Sequence, residues 1–534
     1  LAGAPAHSFQ RDPTQEGDSP LWEFALALSA DSMEGRAAGS PGGERAARYI
    51  ASQLEAFGLE PLGEVGSWFQ NVPLHGCIPL KETHFRLNLP GGGVDLALDQ
   101  DYLLYTTGAK TLIPIPVPLV FVGYGIVAPE YDYNDYQDLD VEGSMVVFLS
   151  GEPASTDETY FDGPYPTVHG HPEMKQRIAL SRGALGSVLI PSDADVLDRP
   201  WSEWRALFSF EHLTLPYDLP RRLDMVMNPE AAEVLFRGSE FSLPQLLAMA
   251  GRGEIRSFPL AAEASFQGRF RDRDFVSPNV IGMLPGSDPL LRESYVLLSA
   301  HYDHLGIGPP VVGDSIYNGF VDNALGSAAV LEIARTLSAL EEPPLRSIIF
   351  FFSTAEEVGL LGSHHYTANP RVPLHKTIAN VNVQGLAIFD TFDEIIGVGS
   401  EHSTLGGAIQ SVATSFGLQV GSIPPSLGPQ ESFARSDQLA FALAGIPATV
   451  LVEGMHYRNH SQAEGLEAFV RWGEERYHTP FDDADQPMDR NAVAQHLQVI
   501  RSLVVELANT YRPPQWHRGV PYVNARLRSI AEER

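Results

Sequence analysis

The run Ser347-Ile348-Ile349-Phe350-Phe351-Phe352 constrains this chain more tightly than any other stretch. Every residue after Ser347 is apolar, so a strand formed here has no face to give to water. Such strands sit in parallel or mixed sheets covered on both sides. The neighbouring sequence fits that requirement. Residues 295–300 form a second buried-strand run, and residues 324–337 have the apolar spacing of a helix. Further strands are expected at 377–384 and 448–452, with helices at 405–416 and 491–511. From Asn279 onward the chain therefore reads as an α/β fold, a central mixed β-sheet flanked by helices.

Ahead of that region the pattern is mixed. A helix is expected at 21–28, then a glycine-rich loop over 31–43, then an amphipathic helix at 44–57 closed by Gly58. Residues 67–105 alternate in short β-like runs. Ile113-Pro114-Ile115-Pro116-Val117-Pro118 reads as a stiff connector. Beyond it, buried strands at 119–127, 144–149 and 186–190 surround a tyrosine-rich loop at 131–140 and a helix at 174–182, and the stretch 195–265 is less regular. The chain divides accordingly into 1–115, the first part of the main domain; 116–265, a β-rich insertion with its own core; and 266–534, the rest of the main domain.

Composition removes several classes of function. With 36 basic and 67 acidic residues the net charge is -31, the wrong sign for nucleic acid or an anionic membrane. The single cysteine, Cys77, excludes an intramolecular disulfide and a cysteine-rich metal site. No apolar run approaches the ~20 residues that span a bilayer. The start Leu1-Ala2-Gly3-Ala4-Pro5 resembles the residues after a removed leader, which fits a periplasmic or secreted protein.

Three segments carry the chemistry. Ser299-Ala300-His301-Tyr302-Asp303-His304-Leu305-Gly306 follows a strand, Gly319-Phe320-Val321-Asp322-Asn323-Ala324 precedes a helix, and Ser353-Thr354-Ala355-Glu356-Glu357 follows the apolar run. Ends of buried strands are where open α/β sheets bind ligands. A histidine and several acids gathered there make a nitrogen- and oxygen-ligated metal site. Taken alone, Asp322 also reads as a helix N-cap, and His301 as a core histidine that Asp303 orients. Two adjacent acids after an apolar strand are costly unless a cation compensates them. One can then hold the metal while its neighbour acts as a general base. His364 and His365, on an expected helix, read as structural or solvent-facing, as do His304 and His456.

These segments resemble the M28 family of co-catalytic zinc aminopeptidases, in particular bacterial members with an inserted protease-associated domain. The likeness rests on residues 300–306, 318–326 and 356–363, and on Tyr477-His478-Thr479-Pro480-Phe481-Asp482-Asp483. Gly123-Tyr124-Gly125 to Pro129, Asp135-Tyr136 and Asp140-Val141 resemble the opening of the inserted domain, and the Glu34-Gly35-Arg36 loop also matches. The resemblance implies that Asp322 bridges two zinc ions, that His301 ligates the first, and that Glu357 and His478 ligate the second. Glu356 would deprotonate the bridging water and protonate the leaving amine, Asp303 would hold His301, and Tyr477 would help polarise the scissile carbonyl.

One position departs from the pattern. The strand reading Ala379-Asn380-Val381-Asn382-Val383-Gln384-Gly385-Leu386 should end in an aspartate on the first zinc, and Gln384 stands there, or Asn382 in a shorter alignment. Either is a neutral amide, a weaker zinc ligand than a carboxylate. Gln438 similarly replaces a histidine that relatives commonly have. One or two zinc ions per chain are therefore expected, with the first site impaired. The leading reading is a zinc exopeptidase acting on the N-terminal residues of peptides. The alternatives are a single-zinc enzyme like the glutaminyl cyclases, against which His301 counts, and a non-catalytic peptide- or partner-binding descendant, which would have no use for Glu356.

Overall fold

In the computed structural model the described residues are 19–105, 112–157, 159–163, 167–191, 200–217, 223–424 and 429–531. The leader-like residues Leu1–Pro5 and parts of the irregular stretch from 195 lie outside them.

A ten-stranded mixed sheet organises the main part of the chain. Its centre is four parallel strands in the order Ser347–Ser353, Tyr295–His301, Thr377–Asn382, Ala448–Glu453. Antiparallel strands extend both sides: Phe270–Leu284 and Phe69–Pro79 beyond the first, Glu394–Val398 beyond the last. The apolar run is covered on both faces. Ile348, Phe350 and Phe352 pack in one core with helices Pro20–Ser29, Pro41–Ala56, Gly326–Ser338 and Arg490–Asn509. Ile349 and Phe351 pack in the opposite core with Tyr366 and Phe441. All five strand residues are 0% exposed. Truncating one of these phenylalanines to alanine would cost about 3–5 kcal/mol.

The expected elements recur with shifted edges. The second helix starts at Pro41, not Glu44, because Ser40 caps it through Gly43 N and proline suits the first helical position. Gly42 lies in its first turn, where a Cβ would sit 1.8 Å from Met33 O, so the glycine serves close approach inside a helix. The helix expected from Ala324 begins at Gly326, after an irregular turn over Phe320–Leu325. Thr377–Asn382 ends two residues short of Gln384.

A second sheet has eight strands, in the order Gly92–Leu96, His84–Leu89, Phe258–Gln267, Leu112–Phe121, Met145–Leu149, Gly186–Ile190, Leu223–Met227, Tyr102–Leu104. It encloses a core of its own, including Phe85, Phe121, Val147, Val188 and Phe266. It therefore draws in strands from residue 84 onward, ahead of position 116. The proline-punctuated stretch is not a connector but the first half of strand Leu112–Phe121. Over residues 112–118 it pairs on one side with Phe258–Gln267, and pairing with Met145–Leu149 begins only at Leu119. Pro114, Pro116 and Pro118 thus lie where one side of the strand has no ladder partner, and a missing N–H costs little there. A further strand, His212–Thr214, leaves this region and pairs with Phe69–Pro79 of the large sheet. No helix among the described residues is long and apolar enough to cross a membrane.

Candidate metal centre

The parallel register brings the acidic segments to one edge of the sheet. His301 pairs with Ser353, so the residues that follow each strand, Asp303 on one and Glu356 with Glu357 on the other, leave side by side. The loop before helix Gly326–Ser338 and the loop after helix Gln462–Glu475 add Asp322 and His478.

His478 Nε2 lies 3.0 Å from Glu357 Oε2 and 3.3 Å from Asp322 Oδ2. Neighbouring donors around a tetrahedral cation with ~2.0–2.1 Å bonds stand roughly 3.3 Å apart, so these atoms suit a zinc ion. His301 Nε2 lies on the other side of Asp322, 3.4 Å from its Oδ1 and 3.9 Å from Glu356 Oε2. Ligand atoms of His301, Asp322 and Glu357 fall within 4.8 Å of one another. The decisive feature is what these atoms lack. His301 Nε2, His478 Nε2, Asp322 Oδ2 and Glu356 Oε1 are buried with no hydrogen-bond partner. Buried polar atoms are nearly always satisfied, so four such orphans in one cluster of acids and histidines fit a cation site.

Electrostatics agree. Burial alone would lower the pKa of His301, but Glu356, Asp322 and Asp303 outweigh it and hold the imidazole well above its usual value. The same contest raises His478 to about 10. Burial opposes ionisation of Glu357, yet His478 and His304 pull it down to about 2. Glu356 goes the other way, pushed well above the ordinary carboxylate range by burial and by Asp437, Glu357 and Asp322. Two adjacent glutamates thus have opposite tendencies, Glu357 towards the ionised form and Glu356 towards the protonated one.

Gln384 reaches the centre without presenting its oxygen to it. Its Nε2 donates to Asp322 Oδ1 at 3.3 Å and its Oε1 accepts from Ser436 Oγ at 2.9 Å. An ionised carboxylate only accepts, so the amide nitrogen must be the end that faces Asp322. Asn382 is equally committed: it accepts from Ser299 and donates to Ser436 and to Gln438 Oε1. Neither amide offers an oxygen to a first ion.

The other expected residues are placed as follows. Asp303 holds His301 through its main chain, with Nδ1 3.1 Å from the Asp303 carbonyl and 3.9 Å from its carboxylate, while that carboxylate accepts from Glu356 N. Burial lifts the Asp303 carboxyl to about 7. Tyr477 stacks on the His478 ring, 3.8 Å between centroids. It is 41% exposed as a whole residue, yet burial and the acids of the centre hold its hydroxyl well above the usual range. His456 is a surface residue paired with Glu394, and His365 is buried in its helix. His304 is structural rather than solvent-facing: it is 2% exposed, with Nδ1 2.5 Å from Glu357 Oε1. Its position next to Asp303 was the only available signal. Two supports went unrecognised in the sequence. Asp482 accepts from the main-chain nitrogens of Val321 and Asp322, each at 2.9 Å, and the Arg36 guanidinium lies beneath the ligand loops.

Residues 279–504 match the family model described as Peptidase family M28. Over 235 residues the chain is 28% identical to Leupeptin-inactivating enzyme 1 of Streptomyces exfoliatus, covering 40% of this chain and 46% of that protein. It is 32% identical over 186 residues to Probable leucine aminopeptidase 2 of Aspergillus fumigatus, covering 33% of each. The matched stretch spans less than half the length of either relative. An aminopeptidase from Aneurinibacillus sp. strain AM-1 shares the fold over 94% of both chains, with a TM-score of 0.53 at 18% identity.

Proposed function

We propose that this chain, whose residues 279–504 match the model of peptidase family M28, is a zinc-dependent aminopeptidase. The observation that carries the reading is the set of orphaned donor atoms on Asp322, His478 and His301, with the partnerless oxygen of Glu356 beside them. A binding protein would have no use for that last, costly group.

Asp322 Oδ2, Glu357 Oε2 and His478 Nε2 are the atoms that would hold a zinc ion, which supplies Lewis acidity for lowering the pKa of water and taking up carbonyl charge. Glu356 accepts the proton of the attacking water at Oε1 and later delivers it to the leaving amine nitrogen. Asp482 fixes the main chain of Asp322, and Asp303 fixes the ring of His301. Tyr477, stacked on the His478 ring, would steady the scissile carbonyl. His301 Nε2 and Asp322 Oδ1 are the atoms that would hold a second zinc ion, and it would be held weakly there, because Gln384 is neutral and turns its nitrogen towards Asp322.

The second sheet is read as a protease-associated insert that shapes the approach for peptide. Supporting this, a cleft of about 550 Å³ is lined by Phe210 and by Leu213 of strand His212–Thr214, which joins the large sheet from that region, together with Glu357 and Val358 of the centre. The volume is that of a small-ligand pocket.

A panel of aminoacyl fluorogenic amides tests the reading. Turnover should require a free α-amino group, vanish in excess chelator and return with zinc. Hydrolysis that ignores the chelator, or none with any substrate after zinc is restored, would overturn it.

A further inference from the structure

Arg36 lies outside the matched residues 279–504, yet its side chain is built into the centre. It is 0% exposed. Nε donates to Tyr302 O at 2.8 Å, Nη1 to Leu28 O at 2.8 Å and Asn318 O at 2.6 Å, and Nη2 to Gly319 O at 2.8 Å. Tyr302 directly follows His301, and Asn318 with Gly319 opens the turn that presents Asp322. One planar group therefore spans two ligand-bearing loops and the end of helix Pro20–Ser29. Only a guanidinium has donors spread in a rigid fork that can serve acceptors on three segments at once.

The local chain is shaped to deliver this group. Glu34, Gly35 and Arg36 all adopt left-handed φ values. A Cβ on Gly35 would meet Tyr317 O at 2.4 Å and Gly306 O at 2.5 Å, so the loop presses its backbone against the hairpin beside the centre. The Arg36 carbonyl in turn accepts from His304 N. Burying a guanidinium against carbonyls is expensive unless nearby charge compensates it. Asp482, Asp303, Asp322 and Glu357 are the compensating acids, and despite its burial Arg36 stays protonated at neutral pH, its pKa lowered only to about 10.

We infer that Arg36 is a positioning residue for the metal centre, holding the His301 and Asp322 loops at ligating separation before any cation binds. The inference rests on the zinc reading above. It makes the N-terminal segment part of the site.

The test uses the full chain and reads zinc affinity by competition with a chromophoric chelator, alongside circular dichroism and thermal unfolding. Arg36→Met should weaken zinc binding about 10–100-fold, the range for residues that orient metal ligands. Arg36→Lys should recover little of that affinity, because it retains the charge without the fork. Leu54→Ala, a buried core change in helix Pro41–Ala56, controls for lost stability and should keep wild-type zinc affinity. If Arg36→Met fails to fold, Arg36→Lys carries the test by the same titration. Wild-type affinity in a folded Arg36 variant, or an equal loss in Leu54→Ala, overturns the inference. Failure of the wild-type chain to bind zinc would instead remove the functional reading beneath it.

Discussion

Both sheets bury charge, and they satisfy it differently. Beside the second sheet, Asp135 accepts from Tyr124 N at 3.1 Å, Ile126 N at 2.9 Å and Tyr133 Oη at 2.8 Å. Asp224 accepts from Ser187, and Lys175 donates to Leu149 O. At the edge of the large sheet, the buried atoms His301 Nε2, Asp322 Oδ2, Glu356 Oε1 and His478 Nε2 have no partner. Burial of charge is thus common to a structural core and to a reactive centre. What separates them is unfinished hydrogen bonding on carboxylates: the second region's own unpaired atoms, Tyr102 Oη, Tyr136 Oη and Gln176 Nε2 among them, belong to neutral groups, whereas an unpaired buried acid is stable only where something else completes it.

The sharpest way to test that contrast is Glu356→Gln. The amide keeps the shape of the side chain and cannot cycle a proton, so kcat should fall on the order of 10²–10⁴-fold. Metal content measured by atomic absorption should stay at the wild-type level, because Glu357 rather than Glu356 faces His478. Loss of zinc together with activity would mean that Glu356 is a ligand and that the adjacent pair has been divided wrongly.

The second sheet should answer to pH rather than to metal. Burial raises the Asp135 carboxyl to about 6, against the pull of its hydrogen bonds. Between the unfolded value of ~3.9 and this folded value the native state binds more protons than the unfolded one, so stability falls as pH rises through that window. The full effect is on the order of 3 kcal/mol. Thermal unfolding of wild type and Asp135→Asn between pH 4 and 7 should show wild type losing ground as pH rises, with zinc affinity and turnover the same in both. A difference that ran the opposite way, or a variant with altered zinc affinity, would blur the distinction between the two sheets.

How much of this was legible in sequence follows from the range over which each feature acts. The run Ile348–Phe352 needed no partner to declare a doubly covered strand, since its composition alone forbids a wet face. His301, Asp322, Glu356, Glu357 and His478 were legible because each sits where an element ends and because their order resembles a family's. Strand Leu112–Phe121 was not, since its prolines are tolerated only through a pairing asymmetry that depends on strands far away in the chain. The role of Arg36 was equally hidden: its acceptors are main-chain carbonyls, and carbonyls leave no trace in residue identity. The orientation of Gln384 depends on Ser436, a neighbour only in the folded protein.

That orientation yields the smallest effect and the most specific one. Gln384 Nε2 donates a hydrogen bond to Asp322 Oδ1, which stabilises that carboxylate in the metal-free chain. Gln384→Asp replaces this donor with a second anion beside Asp322, and two neighbouring carboxylates repel unless a cation lies between them. The substitution should therefore change sign with zinc. Without metal the variant should unfold at lower temperature than wild type. With zinc it should gain a second bound ion, its first position tightening on the order of tenfold, the low end of what one metal-supporting side chain contributes. Metal analysis on chains dialysed against zinc and thermal unfolding with and without chelator measure both halves. A variant that binds no more zinc than wild type would place the missing ligand at another residue, Asn382 first among them. Wild-type chains that already hold two tightly bound ions would show that the amide leaves the first position intact.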